Sequence, residues 1–339
     1  MHDLRHVRSR FRRFAHEEAW LASPLYARLA RAVASDDALT RFVAQLPDTQ
    51  PNLLFAIIQY LHGHDSMPRD GAALRDVLER DRDEVVSLAY TRRVQTNEIG
   101  RCAVVVPALP EGPLALLEVG ASAGLCLLLD HYGYRWGASS AGPGDASVTL
   151  PCRTSGPAPI PEVLPEIVWR RGVDLAPVDV FDPDATRWLR ACVWADQPER
   201  RARLEAALDA ARRLSPVVER GDLVAEVGRL IAAAPRDARV VVMHGGVLAY
   251  LAEERKRAFV AALAAASHHR PIVWISNEAP GVVFDRPREE RRPRAATFLL
   301  ARVRLEDGIA EEELLGCAHP HGAHLEWFPP SERRLVRSF

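Results

Sequence analysis

The segment LALLEVGASAG at residues 114–124 constrains this chain more than any other. A run of strand character enters a turn with two glycines, Gly120 and Gly124, and an apolar stretch at 125–132 that reads as a helix follows. Small residues between a strand and a helix let the backbone approach a ligand. Free N–H groups at the helix start then favour negative charge or hydrogen-bond acceptors. The dinucleotide pattern G-x-G-x-x-G is absent. Glu118, two positions before the first glycine, puts a carboxylate at the strand end.

The downstream sequence says what kind of sheet this strand enters. Short β-branched runs recur at 114–119, at a run ending in Val173-Asp174, at 217–220, 239–243 and 271–276. Helical segments at 198–214, 222–234 and 249–266 separate the later ones, with Asp196, Pro198 and Asp222 as start signals and Pro235 as a stop. This alternation predicts a mainly parallel sheet covered on both faces. Two further runs, 297–303 and 325–328, bring the expected total to seven strands. Residues 137–165, rich in Pro, Gly and Ser, read as a long insertion before the second strand. Residues 280–294 (PGVVFDRPREERRPR) read as a charged, solvated loop.

The first hundred residues carry helical periodicity only, at 12–31, 38–46, 52–62 and 71–90. The expected organisation is a helical cap on the substrate side, 1–105, and an α/β domain, 106–339. The apolar fraction of 48%, the charged fraction of 26% and a formal charge of -1 are those of a soluble globular chain. Nothing in that balance asks for nucleic acid. The five cysteines are scattered without a C-x-x-C pair, which fits a reducing compartment and argues against a disulfide framework or a cysteine zinc site. No stretch approaches about 18 apolar residues and the Arg-rich N-terminus has no apolar signal core, so a cytoplasmic protein without a membrane partner is expected. Oligomeric state leaves no mark in the sequence.

In open α/β sheets ligands bind at the carboxyl ends of the strands. Asp174 ends the second strand, where an acid suits ribose hydroxyls; Asp222 follows the third and is equally a plain helix N-cap. His244 ends the fourth strand as a candidate base, and Asn277-Glu278 ends the fifth. The fourth strand lacks the N/D-P-P-Y/F signature of nucleobase and glutamine N-methyltransferases. HPHGAH at 319–324 has spacing that suits a metal, with His244 as a third ligand, but no acid is near in sequence and turn or pocket roles are favoured; no metal is expected. The polar run QTNEIGR at 95–101 reads as a linker or as a lid offering Glu98 and Arg101. Residues 120–124 also spell G-x-S-x-G, the nucleophile elbow of α/β-hydrolases, with His244-Gly245-Gly246 available as an oxyanion loop. Chain order opposes that reading, because the elbow would lie on the first strand and the HGG loop would follow it by some 120 residues.

The turn EVGASAG resembles motif I of class I S-adenosylmethionine-dependent methyltransferases. The chain as a whole resembles a bacterial family known as domain of unknown function 2332. That resemblance rests on QTNEIGR, LLEVGASAGLCLLLD, GVDLAPVDV, the WLRACVW run at 188–194, HGGVLAYL and HPHGAHLEW. Together the resemblances imply a Rossmann-like, class I methyltransferase-type seven-stranded sheet with an N-terminal all-helical cap. They imply S-adenosylmethionine held by Glu118, Gly120, Ala121, Ser122, Gly124, Asp174 and Asp222, the last facing the adenine amino group. Asn97, Glu98, Arg101 and His321 would face a small-molecule substrate, and His244 or Glu278 would remove a proton. The alternatives are a serine hydrolase using Ser122 and a non-catalytic protein of the same fold that binds an adenosine ligand or a partner.

Overall fold

The computed structural model describes residues 2–286 and 297–338, so most of the charged loop expected at 280–294 lies outside the described residues. The chain divides into two compact units, one of residues 1–96 and 181–202, the other of 97–180 and 203–339.

The first unit is helical. Its helices are α1 (Leu4–Arg13), α2 (Pro24–Ser35), α3 (Asp37–Gln45), α4 (Pro51–His62), α5 (Gly71–Arg80) and α6 (Arg82–Thr91); the single turn α7 (Cys102–Val105) belongs to the second unit, and α8 (Pro183–Ala191) returns to the first. Two helices expected as continuous are broken. Between α1 and α2 the Ser23 hydroxyl caps a new N-terminus with Pro24 at its first position, and Asp81 separates α5 from α6. The return segment 181–202 belongs here because it completes the core: Trp188, Ala191 and Cys192 are buried with Phe11, Phe55 and Ile57. The Gln59 amide, itself buried, donates to the carbonyls of Arg190, Ala191 and Val193, so α4 and the segment after α8 share one satisfied polar centre.

The second unit is built on strands β1 (Leu114–Val119), β2 (Gly133–Trp136), β3 (Ser139–Ala141), β4 (Thr149–Ser155), β5 (Ile167–Asp174), β6 (Val218–Arg220), β7 (Arg239–Gly245), β8 (Ile272–Glu278), β9 (Phe284–Asp285), β10 (Phe298–Glu306), β11 (Ile309–Ala318), β12 (His324–Trp327) and β13 (Val336–Arg337). Eleven of them form one mostly parallel sheet in the order β3-β2-β4-β12-β11-β10-β8-β7-β1-β5-β6, and β9 pairs with β13. Seven strands were expected. The difference has two sources. Residues 137–165, read as an insertion because of their Pro and Gly content, contribute β3 and β4, and with β2 these extend the sheet beyond β12. The run 309–318, whose glutamates mask its alternation, forms β11 as a hairpin partner of β10.

Helices α9 (Pro198–Leu214), α10 (Leu223–Ala233) and α11 (Glu253–Ser267) complete the elements, the division between units falling inside α9 after Ala202. Ala115, Leu117, Val119, Val240, Val242 and Trp274 are buried with Val227, Leu230, Phe259 and Leu263 of α10 and α11. Side chains alternate between faces along a strand. Register pairs Glu118 with Met243, Met243 with Ile275, and Gly245 with Asn277. Glu118 and Asn277 therefore lie on the face away from α10 and α11, whereas His244 and Glu278 lie on the face toward them. Chain order reverses between β1 and β7, and the crevice at such a reversal is where open α/β sheets take ligands.

Candidate functional site

No α-helix follows β1. Residues Leu125–His131 form a 3₁₀ stretch interrupted at Leu128, so the dipole expected behind the turn is missing. The turn itself is held tightly. Gly120 and Ala121 donate to the Val173 carbonyl, Gly124 to that of Ala121, and Leu125 to the Asn97 side chain. Ser122 N–H donates to Asp174 Oδ2 at 2.9 Å. These amides are spent within the protein. The glycines also make room for protein side chains: a Cβ on Gly120 would come within 2.6 Å of the Val247 methyls, and one on Gly124 within 2.9 Å of Val218. The expected cradle of free N–H groups is thus corrected to a closed turn, with Ser122 strained at φ 52°.

What the turn exposes is side-chain chemistry. Glu118 is buried and its Oε2 has no hydrogen-bond partner among the described residues; the same holds for Ser122 Oγ and for both amide atoms of Asn277, which is fully buried. Leaving such groups unpaired costs about 1–3 kcal/mol each. Burial, chiefly, pushes the Glu118 carboxyl well above the ordinary carboxylate range; Cys126 and Asp174 push the same way, and the nearby Arg101 opposes them.

Arg101 joins three of the motifs singled out in the sequence. Its Nε donates to Pro320 O at 2.9 Å and its Nη1 to Gly245 O at 2.7 Å, fastening QTNEIGR to the HPHG turn and to the loop after β7. The glycines of two of these motifs permit the contact: a Cβ on Gly100 would strike His321 O at 2.4 Å, and one on Gly322 would strike Gly100 O at 1.8 Å. Neighbouring Glu98 accepts from Gly100 N–H and from Arg203 at 3.2 Å, and Asn97 reaches the Cys126 sulfur. The division between units falls inside this run, after Thr96, and residues 97–101 belong to the second unit. His319 and His321 have ring centroids 5.5 Å apart, and His321 N–H donates to His319 Nδ1. Among the described residues no three His, Cys, Asp or Glu side chains are grouped to hold a metal ion.

His244 and Glu278 form a separate assembly on the opposite face. The Trp274 indole N–H, which can only donate, reaches His244 Nε2 at 2.9 Å; Nε2 therefore accepts, and Nδ1–H donates to Glu278 Oε1 at 2.8 Å. Glu278 Oε1 also accepts the Val247 and Leu248 N–H groups. Burial raises the Glu278 carboxyl, but the His244 bond and the two amides outweigh it, and the net shift is downward. This clamp fixes the loop that seats Val247 against Gly120. With its one lone pair taken by the indole, His244 is placed as a positioning residue and not as the base expected. Asp222 is likewise engaged, capping α10 through Val224 and Ala225 N–H and pairing with Arg255. Asp174 has both oxygens engaged, accepting from Ser122 of the turn and from Ala176 of its own loop. Asn277, which the sequence reading passed over beside Glu278, is the residue it missed; its two-residue offset from Ile275 on the Glu118 face was the available signal.

One protein-family model, described as "Uncharacterized protein conserved in bacteria (DUF2332)", matches residues 8–327. No curated protein and no solved structure matches the chain.

Proposed function

Since the chain belongs to this bacterial family, we propose from its own geometry that the second unit binds S-adenosylmethionine at the β1/β7 reversal and transfers its methyl group to a small molecule. The observation that carries this reading is the pair of buried, unpartnered acceptors, Glu118 Oε2 and Ser122 Oγ, on either side of Gly120 at that reversal. The sheet supports it. Five parallel strands in the order β6-β5-β1-β7-β8 are followed by a pair of which β10 runs antiparallel, as in the class I methyltransferase plan, although here that pair is a hairpin.

The residues present fit the group through side chains more than through the glycine turn. A sulfonium and an ammonium ask for acceptors, which Glu118 and Ser122 supply; the turn amides are already paired. When bound, S-adenosylmethionine supplies an electrophilic methyl. The chain's own part is to hold Ser122 through Asp174, to keep Val247 seated through Glu278, and to exclude water around Glu118. Calorimetry with S-adenosylmethionine and S-adenosylhomocysteine tests this. Binding by the native protein, weakened at least tenfold by Glu118→Leu with the fold retained, is expected; absence of heat with both ligands sinks the reading.

Ser122 also favours a second reading, because its positive φ and unpartnered hydroxyl are those of a nucleophile elbow. Against it, the His244 lone pair is committed to Trp274. Labelling of Ser122 by a fluorophosphonate, lost in Ser122→Ala, would establish the hydrolase instead. Ligand binding with no turnover across candidate acceptors would leave a non-catalytic binding protein.

A further inference from the structure

Arg101 and Asn277 both border Gly245 at the end of β7, where a Cβ would find Arg101 Cδ at 3.4 Å and Asn277 Nδ2 at 3.7 Å. Among the described residues Arg101 has no carboxylate within ion-pairing distance: it donates to two backbone carbonyls, and its guanidinium lies 6.0 Å from the Phe298 ring centroid. The acid nearest in sequence, Glu98, is committed to Arg203 and Gly100 N–H. Glu118 is near enough for Arg101 to oppose the upward push that burial gives its carboxyl, but no ion pair joins the two. Asn277 beside it is fully buried with its amide donors unused. A guanidinium with no carboxylate partner, near a buried amide with no partner, suits a planar anion, since both present in-plane N–H donors.

We propose that Arg101 and Asn277 form a carboxylate-binding site at the carboxyl end of β7 and β8. The carboxylate has two possible sources: the amino-acid part of S-adenosylmethionine, in which case the proposal rests on the reading above, or an acidic substrate, in which case it stands alone.

The test uses the full chain, Asn277→Asp and Gly245→Ala. The first replaces an amide by an isosteric charge that repels carboxylates; the second fills the space between the two side chains at a glycine outside the left-handed region, so neither forces the backbone. Three probes are titrated by calorimetry: S-adenosylhomocysteine, its decarboxylated analogue that keeps the amine, and a series of monocarboxylates from acetate to benzoate. If the carboxylate is the cofactor's, the native protein prefers S-adenosylhomocysteine to the analogue at least tenfold, and both variants erase that preference. If it is the substrate's, the two adenosyl ligands bind alike, while monocarboxylates bind the native protein and lose at least tenfold in both variants. Should neither adenosyl ligand bind, the methyltransferase reading fails and the monocarboxylates alone decide this one. Equal binding of every carboxylate-bearing probe to the native protein and Asn277→Asp, or tighter binding of the decarboxylated amine by the native protein, overturns the proposal.

Discussion

At the residue scale, two buried carboxyls at the ends of β1 and β8 respond to pH with opposite signs. Glu118 is held above its ordinary range, chiefly by burial, so between the ordinary carboxylate pKa and its raised one the unfolded chain has lost a proton that the folded chain keeps. Stability must fall as pH rises through that window, by up to about 1.4 kcal/mol per pH unit. Glu118→Gln, neutral at every pH, is expected to flatten this decline; denaturant titrations at a series of pH values from acid to neutral check it, and an unchanged slope refutes it. Glu278, held below its ordinary range, stabilises above that range and loses its contribution as pH falls through its lowered pKa. Asn277→Leu removes two unpaired buried polar atoms at nearly constant volume, and is expected to stabilise the protein by about 1–3 kcal/mol. Differential scanning calorimetry would show this as a raised Tm.

At the scale of elements, the loop after β7 is set by a side-chain clamp, not by its own turn chemistry. Glu278→Gln weakens an acceptor shared by His244 and two backbone amides, at a cost of about 2 kcal/mol or more. Hydrogen exchange read residue by residue should then show Val247 and Leu248 losing protection first, ahead of the β8 interior. Equal protection in the variant would mean the loop is held by other contacts. None of this was legible in HGGVLAYL, where a histidine at a strand end suggests a base. Which face His244 takes depends on its register with Ser276, and its lone pair is spent by Trp274. By contrast β1, β7 and β8 were legible, because fully buried parallel strands leave unbroken apolar runs.

For the whole molecule, the first unit is discontinuous in sequence, and this has a direct consequence for fragments. Residues 1–105 contain the expected cap but lack Trp188, Ala191 and Cys192 from its core and the carbonyls that satisfy Gln59. That fragment should collapse without fixed packing, with helical far-ultraviolet dichroism and a weak near-ultraviolet signal; residues 1–96 joined by a short linker to 181–202 should unfold cooperatively. A cooperative transition in the shorter piece would show the return segment to be dispensable. The boundary expected near 105 follows from where helical periodicity gives way to strands, whereas the division falls after Thr96; polarity at 95–101 reads as exposure. Asn97, Glu98 and Gly100 are buried all the same, their polar groups being satisfied by Leu125 N–H, by Arg203 and within the turn itself.

The sequence by itself determined the strand–turn at 114–124, the parallel strands, the helical first unit and the strand ends at which polar residues gather. Those features follow from local periodicity and turn chemistry, which act over a few residues. Only the tertiary structure decided that the glycines of the turn accommodate Val247 and Val218, that Arg101 ties three distant loops, and that His244 and Glu278 stand on one face while Glu118 and Asn277 stand on the other. Each of these depends on register and on which remote group fills a space or takes a lone pair. The pattern along one strand carries no information about either.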